Sequence, residues 1–449
     1  MSLLATRESN EDAGQRPMQA LPIAHLVRIS LYWLGLTAID GAVGLFVQNR
    51  LNYDGFANPL EVGRILFLIS IPVAVLSIII QPTVGAISDY TVSRWGRRKP
   101  YIVFGSLLDI VFLAGIATAN SVVILAAFAA LLSISTNIAR GPFQGYVPDL
   151  ISEKQVGMAS ALVGLMQILG NVTGFLLVTI AVGLGKMELA IAAVAIVELI
   201  TMVAVVVRVS PGLPPRDRGT RSWRSIAGEA WATDILKERS YVWLVASRLF
   251  FLMGGAMLVN LVITYLKQTH GLDEQAANGT NFVILILIVV GNVVAIMPSA
   301  RLSDRIGRKP VIYASCIIGG LGVAIAGLAP TIPLVMFGAL LFGVSAGTFL
   351  AVDWALITDI IPRVSSGRYM GLSNVATSSS TVLAVMTGGL VLDFVNNVFG
   401  LGTGPRAAYL LGAVYYVVAM VFLRPVVEPD RRGRLQGGAV QLPEAPSPR

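Results

Sequence analysis

The sequence has little charge for its length. Only 13% of its 449 residues are charged, whereas soluble domains carry about 25%. The hydrophobic residues, 55% of the chain, are gathered in runs of about 20, the length that crosses about 30 Å of hydrocarbon. A soluble core of this size would break into shorter amphipathic pieces. The composition therefore predicts a membrane protein whose surroundings are the lipid bilayer.

Cysteine and histidine are also scarce. The single cysteine, Cys316, excludes an internal disulfide. Neither His25 nor His270 shares a motif with a Ser or Cys partner, and no phosphate-binding loop is present. We therefore expect no enzyme activity, no cofactor, no metal ion and no direct use of ATP.

The N-terminal segment and the net charge exclude two further classes. Residues 1–24 are polar and mixed in charge, and they lack the short apolar segment of a signal peptide. The formal charge of +8 would suggest nucleic acid for a soluble protein. Here the basic residues lie at the ends of apolar runs, so membrane topology explains them better and we expect no nucleic-acid partner.

The apolar runs predict twelve membrane-spanning helices. We number them as spans 1 to 12, at residues 28–48, 64–84, 101–119, 122–140, 158–183, 188–207, 241–266, 280–300, 311–329, 332–353, 369–392 and 406–423. The predicted fold class is an all-α integral membrane protein.

Lys and Arg are distributed unevenly over the predicted loops. With the N-terminus inside, the inside segments hold 27 of the 33 basic residues. The outside segments hold the other five loop residues, which are Arg50, Arg64, Lys186, Lys267 and Arg406. Cytoplasmic loops carry an excess of Lys and Arg, so we predict cytoplasmic termini and a multi-pass protein of the cell membrane.

A polar segment divides the twelve spans into two sets of six. It has seven basic residues against four acidic ones and several prolines. The predicted parts are an N-terminal tail at 1–27, a six-helix bundle at 28–207, a cytoplasmic linker at 208–240, a second bundle at 241–423 and a C-terminal tail at 424–449. A plain solvated linker is one reading, and an interfacial helix around Trp223–Glu238 is the other.

One loop occurs twice in the sequence. Residues 85–100 read GAISDYTVSRWGRRKP, and residues 300–310 read ARLSDRIGRKP. Lys99 and Lys309 are 210 residues apart, and so are Asp149 and Asp359. Two copies of one loop indicate two copies of one six-helix unit, as in transporters built from parallel repeats.

This loop resembles the signature of the major facilitator superfamily, G-x-x-x-D followed by R-x-G-R-R/K between spans 2 and 3. The stretches 81–102 and 137–150 are similar, more narrowly, to sucrose transporters and to the wider group of glycoside–pentoside–hexuronide:cation symporters. The resemblance covers nearly all of the membrane part. It implies two pseudo-symmetric six-helix bundles, with a solute site between them that opens alternately to either side.

Two residues of span 4 depart from the sucrose transporter pattern. Ser133 stands where plant sucrose transporters have an acid, and Gln144 stands where they have an arginine. Proton coupling and sugar binding in that family depend on those two charges, so the resemblance leaves both open. The acidic cluster of melibiose permease is missing too, because Ile65–Val84 contains no acid.

Asp40 is a charged residue near the middle of span 1, about 18 Å from its start at 1.5 Å per residue. It shares one helix face with Trp33, Thr37, Gly44 and Gln48. A charge inside the membrane is costly and is usually functional or paired. We expect Asp40 to bind a proton or the solute, with a structural ion pair as the alternative.

Four other charges lie within the spans. Arg248 in span 7 is a permanent cation, and Asp353 near the inner end of span 10 is its expected partner. Contact with the solute and a structural ion pair are both open for them. Asp109 and Glu198 could be protonated, paired with each other or facing neighbouring helices, and we expect structural roles.

Polar residues recur at helical spacing on further spans. Those that we predict to line the pathway are Asn137, Gln144, Gln167, Asn171 and Asn374, together with Trp33 and Thr37. Amides and hydroxyls beside an indole ring suit a neutral polyhydroxy solute. The alternative is that small and polar residues join the helices to one another.

The repeated loops predict a gate on the cytoplasmic side. Its predicted residues are Gly85, Asp89, Arg97, Arg98, Asp149, Asp304, Arg308 and Asp359. We expect Asp89 to cap a helix of the opposite half, since helix N-termini favour negative charge. Arg97 or Arg98 would meet Asp149, and the second copy would repeat the arrangement.

The leading functional prediction is a monomeric secondary transporter for a sugar-like neutral solute, coupled to protons by symport. An exporter of amphipathic compounds on the same fold is a second hypothesis. A membrane factor that handles a pigment, a lipid or a signal without transport is a third.

Overall fold

The computed structural model describes residues 21–151, 155–210, 214–215, 217–220, 222–229, 238–360 and 366–427. Within these ranges the chain forms helices and no strand. The helices are α1 Ile23–Ser30, α2 Tyr32–Asn52, α3 Val62–Ser88, α4 Lys99–Ala117, α5 Val122–Leu150, α6 Val156–Gly183, α7 Glu188–Arg208, α8 Trp223–Glu229, α9 Arg239–Asn260, α10 Val262–His270, α11 Glu274–Ile306, α12 Arg308–Leu328, α13 Ile332–Ile360, α14 Ser366–Phe399 and α15 Thr403–Leu423.

Twelve helical segments of the described chain are long and apolar enough to cross a membrane, which confirms the predicted fold class. Helices α1 and α2 together form span 1, and α9 with α10 forms span 7. Large apolar side chains remain exposed on the outside of the bundle, such as Ile200 at 62% and Val294 at 65%. This surface fits lipid, in which every backbone polar group has to be satisfied within the helix.

The spans differ from their predicted bounds at several places. Span 4 was predicted to end at residue 140, but α5 continues through Gly141 and Pro142 to Leu150. Span 8 was predicted at 280–300, but α11 runs from Glu274 to Ile306. Span 11 was predicted at 369–392, but α14 runs from Ser366 to Phe399. Span 7 was predicted as one helix, but it changes direction at Leu261 between α9 and α10. In membrane helices, neighbouring helices can satisfy the backbone groups that Pro leaves free.

The linker holds a short helix, α8, close to α3. It begins at Trp223, where the sequence predicts an interfacial helix, and it ends at Glu229. The rest of that predicted helix, residues 230–237, lies outside the described residues.

The two halves repeat one packing scheme. In the first half α2 packs against α6 and α7, while α5 packs against α3 and α4. In the second half α9 packs against α14 and α15, while α13 packs against α11 and α12. The halves meet mainly along α3 with α14 and along α6 with α11.

The lysine of the repeated Lys-Pro dipeptide makes equivalent hydrogen bonds in both halves. Lys99 Nζ donates to the carbonyls of Val206 at 2.8 Å and Val209 at 2.7 Å, at the end of α7. Lys309 Nζ donates to the carbonyls of Arg424 at 3.0 Å and Val426 at 2.7 Å, after α15. The last carbonyls of a helix lack partners within it, and a nearby cation stabilises them. Each lysine therefore ties the third span of its half to the sixth.

Candidate functional site

Asp40 pairs with Arg140 in the middle of the first half. Arg140 Nη2 donates to Asp40 Oδ2 at 2.6 Å, which joins α2 to α5. The side chain of Asp40 is 46% exposed and that of Arg140 is 16% exposed. The Asp40 carboxylate is therefore accessible, and the pair does not lie sealed between the helices.

Sequence reasoning placed Arg140 on a polar row of span 4 but did not include it among the pathway residues. The predicted bounds placed it at the end of span 4, where it counted among the basic residues of the membrane edge. Because α5 continues to Leu150, Arg140 lies ten residues before the helix end. The signal was present in its spacing, since Asn137 and Gln144 lie on the same polar row.

The other predicted pathway residues of the first half divide into two groups. Gln144, Gln167 and Asn171 are partly buried. Trp33, Thr37 and Asn137 are buried between helices, and the Trp33 ring lies 5.7 Å from the ring of Phe143.

These buried contacts are specific. Thr37 donates to the carbonyl of Gln167 at 3.0 Å, and Ser77 donates to Asn137 at 3.2 Å. Their hydroxyl and amide groups join α2 to α6 and α3 to α5, as small polar residues do in membrane helices.

Arg248 contacts Asp353 in the second half, as the sequence predicts. The ion pair joins α9 to α13, and Arg248 Nε donates to Thr377 Oγ1 at 3.1 Å. Their side chains are only 7% and 2% exposed. The side chain of Asn374, also predicted near this pathway, lies outside those that the structure describes.

The two ion pairs join equivalent spans with the charges reversed. The acid is on span 1 and the base on span 4 in the first half, whereas the base is on span 7 and the acid on span 10 in the second. The first pair is accessible and the second is buried. The two pairs therefore differ in their access to a solute in this conformation.

Polar side chains seal the two halves at one side of the bundle. Because the number of spans is even, both chain ends lie on one side, which we call the terminal side, and the opposite side is the far side. Asn49 and Asn278 exchange two hydrogen bonds at 3.1 and 2.7 Å near the far side. Asn52 donates to Thr264 at 2.9 Å, and all four side chains are buried.

Helices α3 and α14 approach most closely at the far side. A Cβ atom added at Gly63 would lie 1.9 Å from the carbonyl oxygen of Gly389. The Asp393 carboxylate accepts the backbone N–H groups of Gly63, at 2.8 Å, and of Arg64. It therefore caps the N-terminus of α3 across the interface.

Open space lies beside Asp40 on α2. A Cβ atom added at Gly44, one turn from Asp40 toward the far side, would meet nothing within 4 Å. The hydrogen bonds that the structure describes between the two halves lie on the far side. The described contacts therefore join the halves on the far side of Asp40.

The predicted gate residues of the first half form one charge cluster on the terminal side. Asp149 accepts from Arg97 Nη2 at 2.5 Å and lies 3.0 Å from Arg98 Nε. Arg98 Nη2 also donates to Asp89 at 2.9 Å. In this conformation Asp89 contacts Arg98 of its own half, and the capping of a helix of the opposite half stays a prediction for another state.

Close backbone approaches place this cluster. Arg98 Nη1 donates to the carbonyl of Pro142 at 2.9 Å, and a Cβ atom at Gly145 would lie 1.6 Å from that nitrogen. A side chain at position 145 would therefore require the Arg98 guanidinium to move away from α5. Gly85 lies near Gly141, where a Cβ atom would be 3.5 Å from the carbonyl oxygen.

The structure describes part of the second copy of the gate. Arg308 lies 3.4 Å from Asp304, whose side chain is 66% exposed, and it donates to Ser303 at 3.1 Å. The side chain of Asp359 lies outside those that the structure describes, so its predicted role stays a prediction.

Comparison with protein families assigns the chain. Residues 29–293 and 250–447 match the family model described as Major Facilitator Superfamily. The chain belongs to the major facilitator superfamily. It is a multi-pass membrane transporter of small solutes and not an enzyme.

Relatives with different substrates match parts of this superfamily member. Sucrose transport protein SUC3 of Arabidopsis thaliana is 30% identical over 124 residues, which is 22% of this chain and 21% of that protein. Minor myo-inositol transporter IolF of Bacillus subtilis (strain 168) is 23% identical over 146 residues, 32% of this chain and 31% of IolF. Multidrug resistance protein MdtG of Dickeya zeae (strain Ech586) is 27% identical over 199 residues, 43% of this chain and 47% of MdtG. The chain spans between 20% and 40% of the length of the curated relatives that it matches first.

Solved structures share the fold over nearly the whole chain. A POT family transporter in complex with 5-aminolevulinic acid has a TM-score of 0.68 at 12% identity, covering 92% of this chain and 98% of its own. The nucleoside transporter NupG has a TM-score of 0.64 at 14% identity, covering 89% of this chain and 98% of its own. At these identities the likeness shows the fold alone.

Proposed function

We propose that this transporter carries a neutral, sugar-like solute together with a proton. The observation that carries the proposal is the accessible Asp40–Arg140 pair, at 2.6 Å in mid-membrane. Gln144, Gln167 and Asn171 add amide groups, and Trp33 adds an apolar ring face, which suit a polyhydroxy ring. The relatives that are named for sucrose and myo-inositol support the same class of solute.

The energetics of the ion pair favour coupling to a proton. Two opposite charges 4 Å apart attract by about 4 kcal/mol at an effective dielectric constant near 20. A hydrogen bond from a neutral group contributes only about 0.5–1.5 kcal/mol net. A neutral solute alone would therefore displace Asp40 from Arg140 poorly. A proton on Asp40 removes the attraction and frees the donors of Arg140 for solute hydroxyl groups.

The proposed cycle uses the two sides of the bundle in turn. We propose that the terminal side is cytoplasmic, because the terminal segments and loops carry most of the Lys and Arg residues. The described conformation is then inward-facing, with its outer side sealed by Asn49, Asn278 and Asp393. Proton and solute would enter from outside after these contacts break, and they would leave toward the cytoplasm.

Export of amphipathic compounds is the second candidate function. The multidrug resistance relative favours it. Amide side chains along α5 and α6 suit hydroxyl groups better than an amphipathic ring system, so we rank it second.

A proton-flux assay tests the proposal. The protein would be reconstituted in liposomes, and internal pH would be recorded while neutral sugars and polyols are added one at a time. We expect solute-dependent proton influx, lost in Asp40→Asn and kept in the control Asp54→Asn, which alters an acid in the loop after α2. Solute uptake without proton movement would overturn the coupling, and movement of amphipathic compounds alone would establish the second candidate.

A further inference from the structure

Asp109 and Glu198 are two acids that the proposed cycle leaves unused. Asp109 lies ten residues into α4 and Glu198 ten residues into α7, so each is at mid-membrane. Both are 0% exposed. They are thus separate from the cavity in which Asp40 lies.

Hydroxyl groups satisfy one oxygen of each acid. Asp109 Oδ1 accepts from Ser135 and, at 2.9 Å, from Thr136, both on α5. Glu198 Oε1 accepts from the Tyr32 hydroxyl at 3.4 Å, and that hydroxyl also contacts Ser106 at 2.6 Å. Hydroxyl donors from α2, α4 and α5 therefore surround the two acids.

The second oxygen of each acid has no protein donor. Asp109 Oδ2 and Glu198 Oε2 are both buried and have no hydrogen-bond partner among the described donors. The Tyr32 hydroxyl contacts both Glu198 and Ser106, and Ser106 lies one turn before Asp109 on α4. The two acids therefore lie on neighbouring turns of the packed helices α4 and α7. An ionised carboxylate only accepts, so a hydrogen bond between two carboxyl groups requires a proton on one of them.

We propose that Asp109 and Glu198 form an intramembrane proton-binding site, distinct from Asp40, that holds one shared proton at neutral pH. Two ionised carboxylates on neighbouring, buried turns would repel each other, because the interior of the bundle solvates charges poorly. One shared proton satisfies both oxygens that lack donors and leaves the pair with a single negative charge.

Arg140 links this site to the accessible pair. The titratable and charged groups that face the two acids are Tyr32 on α2 and Arg140 on α5. Arg140 acts on the Asp109 charge from one side and donates to Asp40 on the other. When Asp40 is neutral, Arg140 loses its partner in the cavity, and its charge then favours ionisation of the buried pair. Occupancy of the two proton sites is therefore linked, and its use in transport rests on the proposed function.

Infrared spectroscopy of the reconstituted protein tests the site without any solute. At neutral pH exposed acids are ionised, so a protonated-carboxyl C=O band reports a proton held in the interior. We expect this band in the wild type and its loss in both Asp109→Asn and Glu198→Gln. It should persist in Glu188→Gln, which makes the same change at an exposed acid of the same helix.

The linkage has its own readout. In Asp40→Asn the band should decrease, because Arg140 loses its partner and the buried pair ionises. A wild type without the band, or a band that survives both Asp109→Asn and Glu198→Gln, would overturn the site, while an unchanged band in Asp40→Asn would overturn the linkage. Absence of solute-driven proton influx in the wild type would instead count against the proposed function, and the infrared result would stand.

Discussion

Asp393 accepts the backbone N–H of Gly63 at 2.8 Å, so an acid of one half caps a helix of the other. The contact lies on the far side, and Asp393 is near the end of α14 while Gly63 begins α3. The sequence predicts the same kind of contact for Asp89 on the terminal side. A helix N-terminus carries a partial positive charge and free N–H groups, so such caps stabilise one closed side at a time.

Gly63→Val should prevent closure of the far side. The added side chain would collide with the carbonyl oxygen of Gly389, where even a Cβ atom would lie at 1.9 Å. The reporter is a cysteine at position 44, labelled with a membrane-impermeant thiol reagent, since Gly44 borders open space and Cys316 is buried. We expect far-side labelling to rise in Gly63→Val. Gly279→Val changes a helical glycine whose added Cβ would meet no atom within 4 Å, so it should leave far-side labelling low. Equal labelling in both variants would contradict closure of the far side by the Gly63–Gly389 contact.

Asp89→Asn should slow the transport cycle and leave solute affinity near normal. Asp89 accepts from Arg98, which also contacts Asp149, so the amide weakens a charge cluster outside the cavity. Gly145→Val should have the same effect, because it displaces Arg98 from α5. Transport rate and equilibrium solute binding would be measured on the same samples. A large loss of equilibrium binding in Asp89→Asn would count against a gating role.

The buried pair of the second half should respond strongly to removal of one charge. Asp353→Asn leaves Arg248 buried without its counter-charge, which costs about 3–5 kcal/mol. The double variant Arg248→Met with Asp353→Leu should cost less, since no charge remains to be desolvated. Asp40→Asn should cost less than Asp353→Asn, because Asp40 is 46% exposed and water can partly solvate the charge that remains.

Unfolding in one detergent would compare these variants. If Asp353→Asn and Asp40→Asn were equally stable, the burial of an ion pair would not determine how much its loss lowers the free energy of unfolding.

Lys309→Ala should destabilise the second half through the end of α15. The ammonium group donates to two carbonyls there, and the loss of such bonds costs about 1–2 kcal/mol. Lys99→Ala should cost at least as much, since Lys99 is buried against the end of α7. The melting temperatures of both lysine variants would be compared with that of Arg305→Ala, which removes an exposed cation from the same repeated segment as Lys309. A melting temperature equal to that of this control would refute the anchoring role.

His270 should make the protein less stable in mild acid. Burial, with the nearby charge of Arg406, lowers the pKa of His270 below its ordinary value. The folded protein therefore resists protonation more than the unfolded chain, whose histidine has a pKa of about 6.5. This stability is complete above about pH 6.5 and falls as the pH drops toward the folded pKa.

The comparison is between melting temperatures at about pH 7.5 and about pH 5. His270→Gln should show a smaller acid-induced fall than the wild type. An identical fall in both proteins would place the sensitivity elsewhere.

Much of this architecture could be predicted because short stretches of the sequence determine it. Runs of about 20 apolar residues define the spans without reference to partners, and the repeated Lys-Pro loop defines two equivalent halves. Asp40 stood out because a single charge in an apolar run is costly wherever it lies. Arg248 and Asp353 were predicted as partners for the same reason.

Other features depend on contacts that no single stretch of sequence contains. The end of span 4 was predicted ten residues early, since α5 continues through Gly141 and Pro142 to Leu150. Arg140 lies on a polar row of this span, but the row alone does not show that Arg140 pairs with Asp40. Thr37 and Asn137 share polar rows with cavity residues, yet neighbouring helices bury them.

The sequence by itself therefore determined the membrane class, the number of spans, the repeat and the presence of intramembrane charges. Only the tertiary structure decided that Asp40 meets Arg140, which charges are accessible and which side is sealed. The physical reason is the distance along the chain over which each effect acts. Hydrophobic length and helix periodicity act within one segment, whereas the pairs Asp40–Arg140 and Asn49–Asn278 form between helices that the chain connects only through long intervening stretches.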